Sequence, residues 1–425
     1  MLSTLKNAWK IPDLRQRMLY TLLMMIVFRL GSTIPVPGMN KEVLAQLFNQ
    51  AENGLFGFFN LISGGAFGSF TIFALSISPY ITSSIIMQLL TIAIPSLEVL
   101  AREGEEGRKK IAQYTRYGTV VLALIQSVGV SVGLFNKALI SKDFWSVTVV
   151  VLTLTAGTAF LMWLGEQITE KGIGNGISLI IFAGIVSRIP VGFAQTFNKL
   201  KIGEVSIISL ILFAILAVII ITGVIAIQQG TRKIPVQYAK RVVGRKMYGG
   251  HSTHIPLKVN QAGVIPVIFA ISLLQFPLTL TYFFQGGGFA NFVQKYLSPA
   301  GNPGIWIYST IYILLIIFFT YFYTAVTFNP VEVAENMKKN GGFIPGIRPG
   351  KPTSEYLNKV LTRITLAGAI FLAIIAVMPT LILQFTSLQL QFGGTSLLIV
   401  VGVALETMKQ IEAQMMMRHY QGFLK

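Results

Sequence analysis

Side chains able to do chemistry are few in this chain, and their spacing suits no familiar reaction. Gly172-Ile173-Gly174-Asn175-Gly176 has the glycine content of a phosphate-binding loop. It follows an apolar helix rather than a strand, however, and lacks the Lys-Ser/Thr pair of a P-loop. It reads as a tight loop or a helix start. His251 and His254 lie three apart with no acid nearby, and the chain has no cysteine. A metal site and thiol chemistry are both discounted on those grounds. No Ser-His-Asp or paired-carboxylate arrangement stands out. Neither a cofactor nor an enzymatic activity is expected.

Charge is as sparse as nucleophiles. Glu166, Glu406 and Arg363 fall near the ends of apolar runs, and Arg29 lies close to the outer end of the first run, where it can snorkel. No run carries a central carboxylate or histidine. Ion-coupled carriers place ionisable groups near the membrane midplane, so their absence argues against proton or sodium coupling. The polarity left in the runs is uncharged. One run reads Ser76-Ile77-Ser78-Pro79-Tyr80-Ile81-Thr82-Ser83-Ser84 and continues to Gln88, with Pro79 expected to kink it. Another holds Pro266, Ser272, Gln275 and Pro277. These groups either bond back to their own helices or form a seam that meets water at times.

The elements that carry these residues follow from composition. Of 425 residues, 53% are hydrophobic and 12% charged, about half the charged fraction of a soluble domain. The mean hydropathy is +0.66. An integral membrane protein is the reading that fits. Runs of spanning length fall near 19–36, 74–94, 117–135, 146–165, 176–190, 206–227, 262–282, 305–327, 361–382 and 393–408. The fifth and tenth are short. With the N-terminus in the cytoplasm, 26 of the 34 Lys and Arg fall on the cytoplasmic side and 7 on the other, with Arg29 inside a run. That bias places both termini in the cytoplasm. The basic N-terminus before the first run, with no small-residue cleavage site after it, reads as an uncleaved span.

Two cytoplasmic loops, 228–261 and 328–360, are long, basic, and mixed with apolar and aromatic residues. They read as ordered docking protrusions, since topology needs far fewer charges. Five spans per half would make the halves inverted repeats, although no internal sequence match supports this. Residues 55–72 are apolar yet broken by Gly57, Gly64, Gly65 and Gly68. They are either a re-entrant segment inside the bundle or an interfacial helix on the lipid surface.

Several strings coincide with one family. They include Pro79-Tyr80-Ile81, Glu105-Glu106-Gly107-Arg108-Lys109-Lys110, Tyr114-Thr115-Arg116-Tyr117-Gly118 and Trp163-Leu164-Gly165-Glu166-Gln167-Ile168-Thr169. Further on are Gly172-Ile173-Gly174-Asn175-Gly176-Ile177-Ser178, Tyr238-Ala239-Lys240-Arg241, Pro256-Leu257-Lys258-Val259-Asn260, Pro345-Gly346-Ile347-Arg348-Pro349-Gly350 and Gly393-Gly394-Thr395-Ser396. Over nearly its whole length the chain resembles the SecY/Sec61-alpha family, the channel subunits of Sec protein-export translocons.

The resemblance implies an all-α membrane protein of ten transmembrane helices, in two inverted five-helix halves around an hourglass pore. Residues 1–190 would form the N-terminal half, with a re-entrant plug at about 57–72. Residues 191–261 would supply a periplasmic loop, the sixth helix and a docking loop, and 262–425 the rest. The pore ring would be Ile77, Ile81, Ile177, Ile181, Ile268 and Ile399. The plug would include Asn60, Ser63, Gly64, Gly65, Phe67 and Gly68. A lateral gate between helices two and three and helices seven and eight would contain Ser83, Gln88 and Gln275. Arg241, Arg245, Lys246 and Arg348 would dock SecA or the ribosome, whose RNA is polyanionic. Further implied partners are SecE, SecG, signal sequences, unfolded preproteins, anionic lipid, SecDF and a YidC-type insertase. The implied location is the bacterial inner membrane. The competing reading is an inverted-repeat secondary transporter of a small solute, which would need a midplane site that the sequence lacks.

Overall fold

The computed structural model describes residues 2–422 except 41, 45, 47–59, 61–62, 204–205, 239–240, 244–245, 249–251, 282–286, 299–302 and 386–393. Ten helices of at least sixteen residues follow in order among the described residues. They are Pro12–Gly31, Ser78–Ala93, Glu105–Val128, Phe144–Lys171, Gly176–Ile202, Ile207–Gln229, Ile265–Leu280, Gly304–Thr327, Lys351–Phe385 and Gly394–Gly422. They are referred to below by ordinal.

Each expected run has its helix, but several boundaries differ. The first helix starts at Pro12, whose fixed φ suits the first turn, and stops at Gly31. The second starts only at Ser78, so Pro79 lies in its first turn and bends nothing. The sharp break comes instead at Ile94-Pro95, where the short helix Pro95–Arg102 leaves at 101°. The fifth and tenth are long rather than short. The fifth runs through Pro190 to Ile202, so residues 191–202 are helical where a loop was expected. The tenth carries its polar end well past the apolar run.

Packing follows the chain within each half. The second helix lies on the third, the third on the fourth, and the fourth on the fifth. The seventh, eighth, ninth and tenth pack in the same sequential way. The long helices of the two halves meet along two seams, second against seventh and fifth against tenth, and the N-terminal helix Leu2–Trp9 also packs on the tenth. One apolar cluster runs through the centre, with Phe28, Leu161, Ile180, Ile220, Val267, Phe319, Leu372 and Val403 drawn from eight of the ten helices.

The loop Gly172–Gly176 is a structural joint. Gly174 has φ of +93° and its N–H donates to Gln410 Oε1 of the tenth helix at 2.9 Å. Ile173 N–H donates to Thr21 Oγ1 of the first helix at 3.0 Å. Asn175 Oδ1 then caps the fifth helix, accepting from the Ile177 and Ser178 N–H groups. A Cβ at Gly176 would collide with the Gly165 carbonyl. The glycines therefore serve close packing and turn geometry.

The two long loops add β structure that the expected all-α spans do not include. Strands β1 (Thr231–Tyr238) and β4 (Ser252–Lys258) pair antiparallel, Thr231 opposite Lys258 and Gln237 opposite Ser252. Between them, β2 (Arg241–Val243) pairs with β3 (Lys246–Tyr248). In the second loop, β5 (Gly342–Phe343) joins the other edge of β1 through Gln237 and Tyr238. The two loops thus share one three-stranded sheet, in the order β4-β1-β5. Ile234 and Val236 point inward from β1, at alternate positions. They meet Leu257, Met337 and Ile344, and Leu357 and Val360 of the ninth helix. Asn329 caps the helix Pro330–Lys339 beneath the sheet.

Candidate functional site

All six candidate ring residues belong to or pack against the central apolar cluster. Ile77 lies immediately before the second helix and Ile81 in its first turn, Ile177 and Ile181 come from the fifth, Ile268 from the seventh and Ile399 from the tenth. Ile77, Ile81, Ile181 and Ile399 are buried in the central cluster, and Ile177 and Ile268 pack partly buried against it. Helical spacing explains the pairs at i and i+4. Both halves contribute, and they do so at the two seams where the halves touch. Isoleucine offers no hydrogen bond and no charge, so this centre can exclude water and ions but can ligate nothing.

The glycine-broken segment lies against the same centre. Asn60 and residues 63–72 are described; the remainder of the expected plug, 57–59 and 61–62, lies outside the described residues. Ser63 is 1% exposed, Ala66 0%, Phe67 3% and Phe70 0%. Such burial is that of a re-entrant segment and excludes a helix lying on lipid. Ala66 belongs to the central cluster with the isoleucines. Phe67 and Phe70 join a second apolar cluster, each edge-on to Phe135.

Local bonds fold the segment into turns. Gly65 N–H donates to Asn60 O, and Gly68 N–H to Asn60 Oδ1, each at 2.8 Å. Phe67 N–H donates to Ser63 Oγ at 3.0 Å. A Cβ at Gly68 would press on the Asn60 amide, and one at Gly64 would come within 2.8 Å of Gly184 Cα in the fifth helix. Bridges between Pro35 and Thr71 and between Met39 and Leu139 tie the flanking chain into the bundle.

The three polar seam residues do not converge. Ser83 is buried and faces the third helix, donating to Thr115 O at 2.8 Å beside Gly118. It joins two helices of one half and does not bridge the halves. Gln88 is half-buried, its Nε2 lying 3.4 Å from Ser84 Oγ on its own helix. Gln275 is buried in the seventh helix, with Nε2 lacking a hydrogen-bond partner. A buried amide without a partner costs about 1–3 kcal/mol. A cavity of about 40 Å³ is lined by Leu122, Ile125 and Gln126 of the third helix and by Phe276 and Thr279 of the seventh.

Of the basic loop residues, Arg241 lies in β2 and Lys246 in β3, while Arg245 is outside the described residues. Arg348 is exposed in the turn before the ninth helix. Its backbone carbonyl accepts from Thr353 Oγ1 at 2.8 Å. The shared sheet places the two loops in one rigid protrusion. Sequence reasoning treated them as separate, although the alternation Ile234, Val236 and Ile255, Leu257 was a visible strand signal. The contact of Arg29 with Gly64 also left no trace in the spacing.

The fold is that of a multi-pass helical membrane protein whose two halves meet around an apolar centre. A family model described as SecY matches residues 71–408. A protein translocase subunit SecY from Halalkalibacterium halodurans is 53% identical over the whole of both chains. The Escherichia coli K12 protein of the same description is 48% identical, covering 97% of this chain and 94% of its own. Among solved structures, one described as a protein conducting channel aligns over 94% of this chain and 92% of its own, with TM-score 0.69 at 22% identity. Sec61 in a canine ribosome-channel complex aligns over the same shares with TM-score 0.62 at 21% identity. These two likenesses concern the fold. The chain belongs to the SecY family.

Proposed function

We propose that this protein is the central channel subunit of a Sec translocon in a bacterial inner membrane, with both termini in the cytoplasm. It passes unfolded secretory proteins across the membrane and releases apolar helices sideways into lipid. The observation that carries this reading is that six isoleucines drawn from both halves all lie in or against one central apolar cluster, which also takes in Ala66 of the re-entrant segment. An apolar ring has no grip on any particular side chain, so it accepts many sequences and stays dry when empty. On this reading residues 60–72 are the plug, and the second–seventh seam is the lateral gate. A signal sequence with a long apolar core gains free energy by moving through that seam to lipid, while polar segments do not.

The channel itself is passive. SecA or a translating ribosome supplies the work and docks on the basic protrusion, and SecE and SecG complete the complex. The two halves, helices one to five and helices six to ten, are taken as the parts that move. The transporter alternative has no midplane site among the described residues and no support from the relatives.

The test is photocrosslinking from the substrate side. A preprotein stalled midway, carrying a photoreactive group, crosslinks to positions 81, 181 and 399 and not to the exposed Ile211 of the sixth helix. Crosslinks spread evenly over lipid-facing positions would sink the reading.

A further inference from the structure

We infer that Arg29 and Arg188 form a two-sided clamp on the Gly64-Gly65 turn and are the residues that position the plug. The inference rests on reading residues 60–72 as the plug.

Arg29 lies in the last turn of the first helix, and its Nη1 donates to Gly64 O at 2.9 Å, across 35 residues of sequence. Rather than extending to the membrane surface, the side chain reaches a backbone carbonyl in the buried segment. Gly64 and Gly65 have φ of +65° and +95°, a conformation that side chains disfavour. The turn also needs them small. At Gly64 a Cβ would meet the Gly184 backbone and Ser187 Oγ. At Gly65 it would lie 3.2 Å from both Nε and Nη2 of Arg188. Gly184 and Arg188 are four apart on the fifth helix, so they share a face, and the turn rests along it. One arginine thus holds the turn from the first helix while the other backs it from the fifth.

At its far end the segment is also held by backbone bonds, Val36 N–H to Phe70 O and Ile72 N–H to Ile34 O, but around the turn the remaining hold is internal or apolar. Its amides bond to Asn60 and Ser63 within the segment itself, and Ala66 and Phe67 make non-directional contacts. Apolar contacts alone would allow the turn to slide. A charged donor on a fixed carbonyl defines one position. It also permits release, because Arg29 is itself exposed and its guanidinium can be solvated once the bond breaks. The geometry therefore makes a reversible latch.

The experiment measures ion flux through the purified complex in planar bilayers without substrate. It compares the unaltered protein with Arg29→Met, which keeps the apolar stem and loses the donor, and with a protein lacking residues 60–70. Arg29→Met should leak about tenfold more often than the unaltered protein, as expected from losing one charge-assisted hydrogen bond, with its unfolding temperature unchanged. Leak from the deletion with silence from Arg29→Met overturns the clamp and leaves the plug reading intact. Silence from both folded proteins overturns both. Should Arg29→Met accumulate poorly, Arg29→Gln takes its place; its side chain is too short to span the distance, and the same outcomes apply.

Discussion

With Ile81 and Ile181 both replaced by asparagine, the resting complex should leak ions at least about tenfold more than the unaltered one. Burying an isoleucine is worth about 1.5–3 kcal/mol, and that preference is what keeps water from the narrowest point. Two amides remove it and supply donors and acceptors to a water chain. Each 1.4 kcal/mol of barrier is about tenfold in rate. Ile81 comes from the second helix and Ile181 from the fifth, and both are buried in the same cluster. Replacing the pair by leucine, with a similar volume and no polar atom, should leave the channel silent. A dye-based flux assay in proteoliposomes reads both variants. Equal silence from a folded asparagine variant would move the barrier away from these side chains.

Charge reversal at Arg348 should lower preprotein import into inverted membrane vesicles about tenfold, with normal amounts of protein in the membrane. The side chain is exposed, and its turn is built by backbone features that do not need it: the Thr353 bond and positive φ at Gly346 and Gly350. Changing it should therefore spare the fold. Arginine to glutamate swings the local charge by two units at a site proposed to meet an acidic or RNA surface, where like charges cost several kcal/mol. The defect should deepen as salt is lowered, because screening then weakens. Disappearance of the protein from the membrane would instead assign Arg348 a structural role.

How far the sequence was legible depends on what kind of force fixes each part. The ten helices were readable because a span is a property of one continuous stretch: apolar side chains must outlast the hydrocarbon. Their ends were less so. Pro79 sits in a first turn and Pro12 opens the first helix, positions where proline is tolerated and bends nothing. The six isoleucines were not legible as a site from spacing, since isoleucine in so apolar a chain is ordinary packing surface; the family resemblance supplied them. The plug segment was half-legible. Its glycines ruled out a plain span, but only the burial of Ser63, Ala66 and Phe70 decides between the bundle and the lipid surface. The Arg29 contact with Gly64 and the sheet joining Tyr238 to Gly342 connect residues far apart in sequence. Such contacts leave no periodic signature in one chain. The partner of Ser83, the Thr115 carbonyl of the third helix, was likewise not visible in the spacing.

The central claim is that an apolar ring and a buried re-entrant segment together close a pore through this protein. Single-channel conductance in planar bilayers tests it most directly, comparing the intact complex with one lacking residues 60–70. The account predicts silence from the intact channel and frequent openings from the deletion, suppressed again when a translocating chain occupies the pore. A folded deletion variant that stays silent, even with Ile81 and Ile181 made polar, would contradict a pore along this axis.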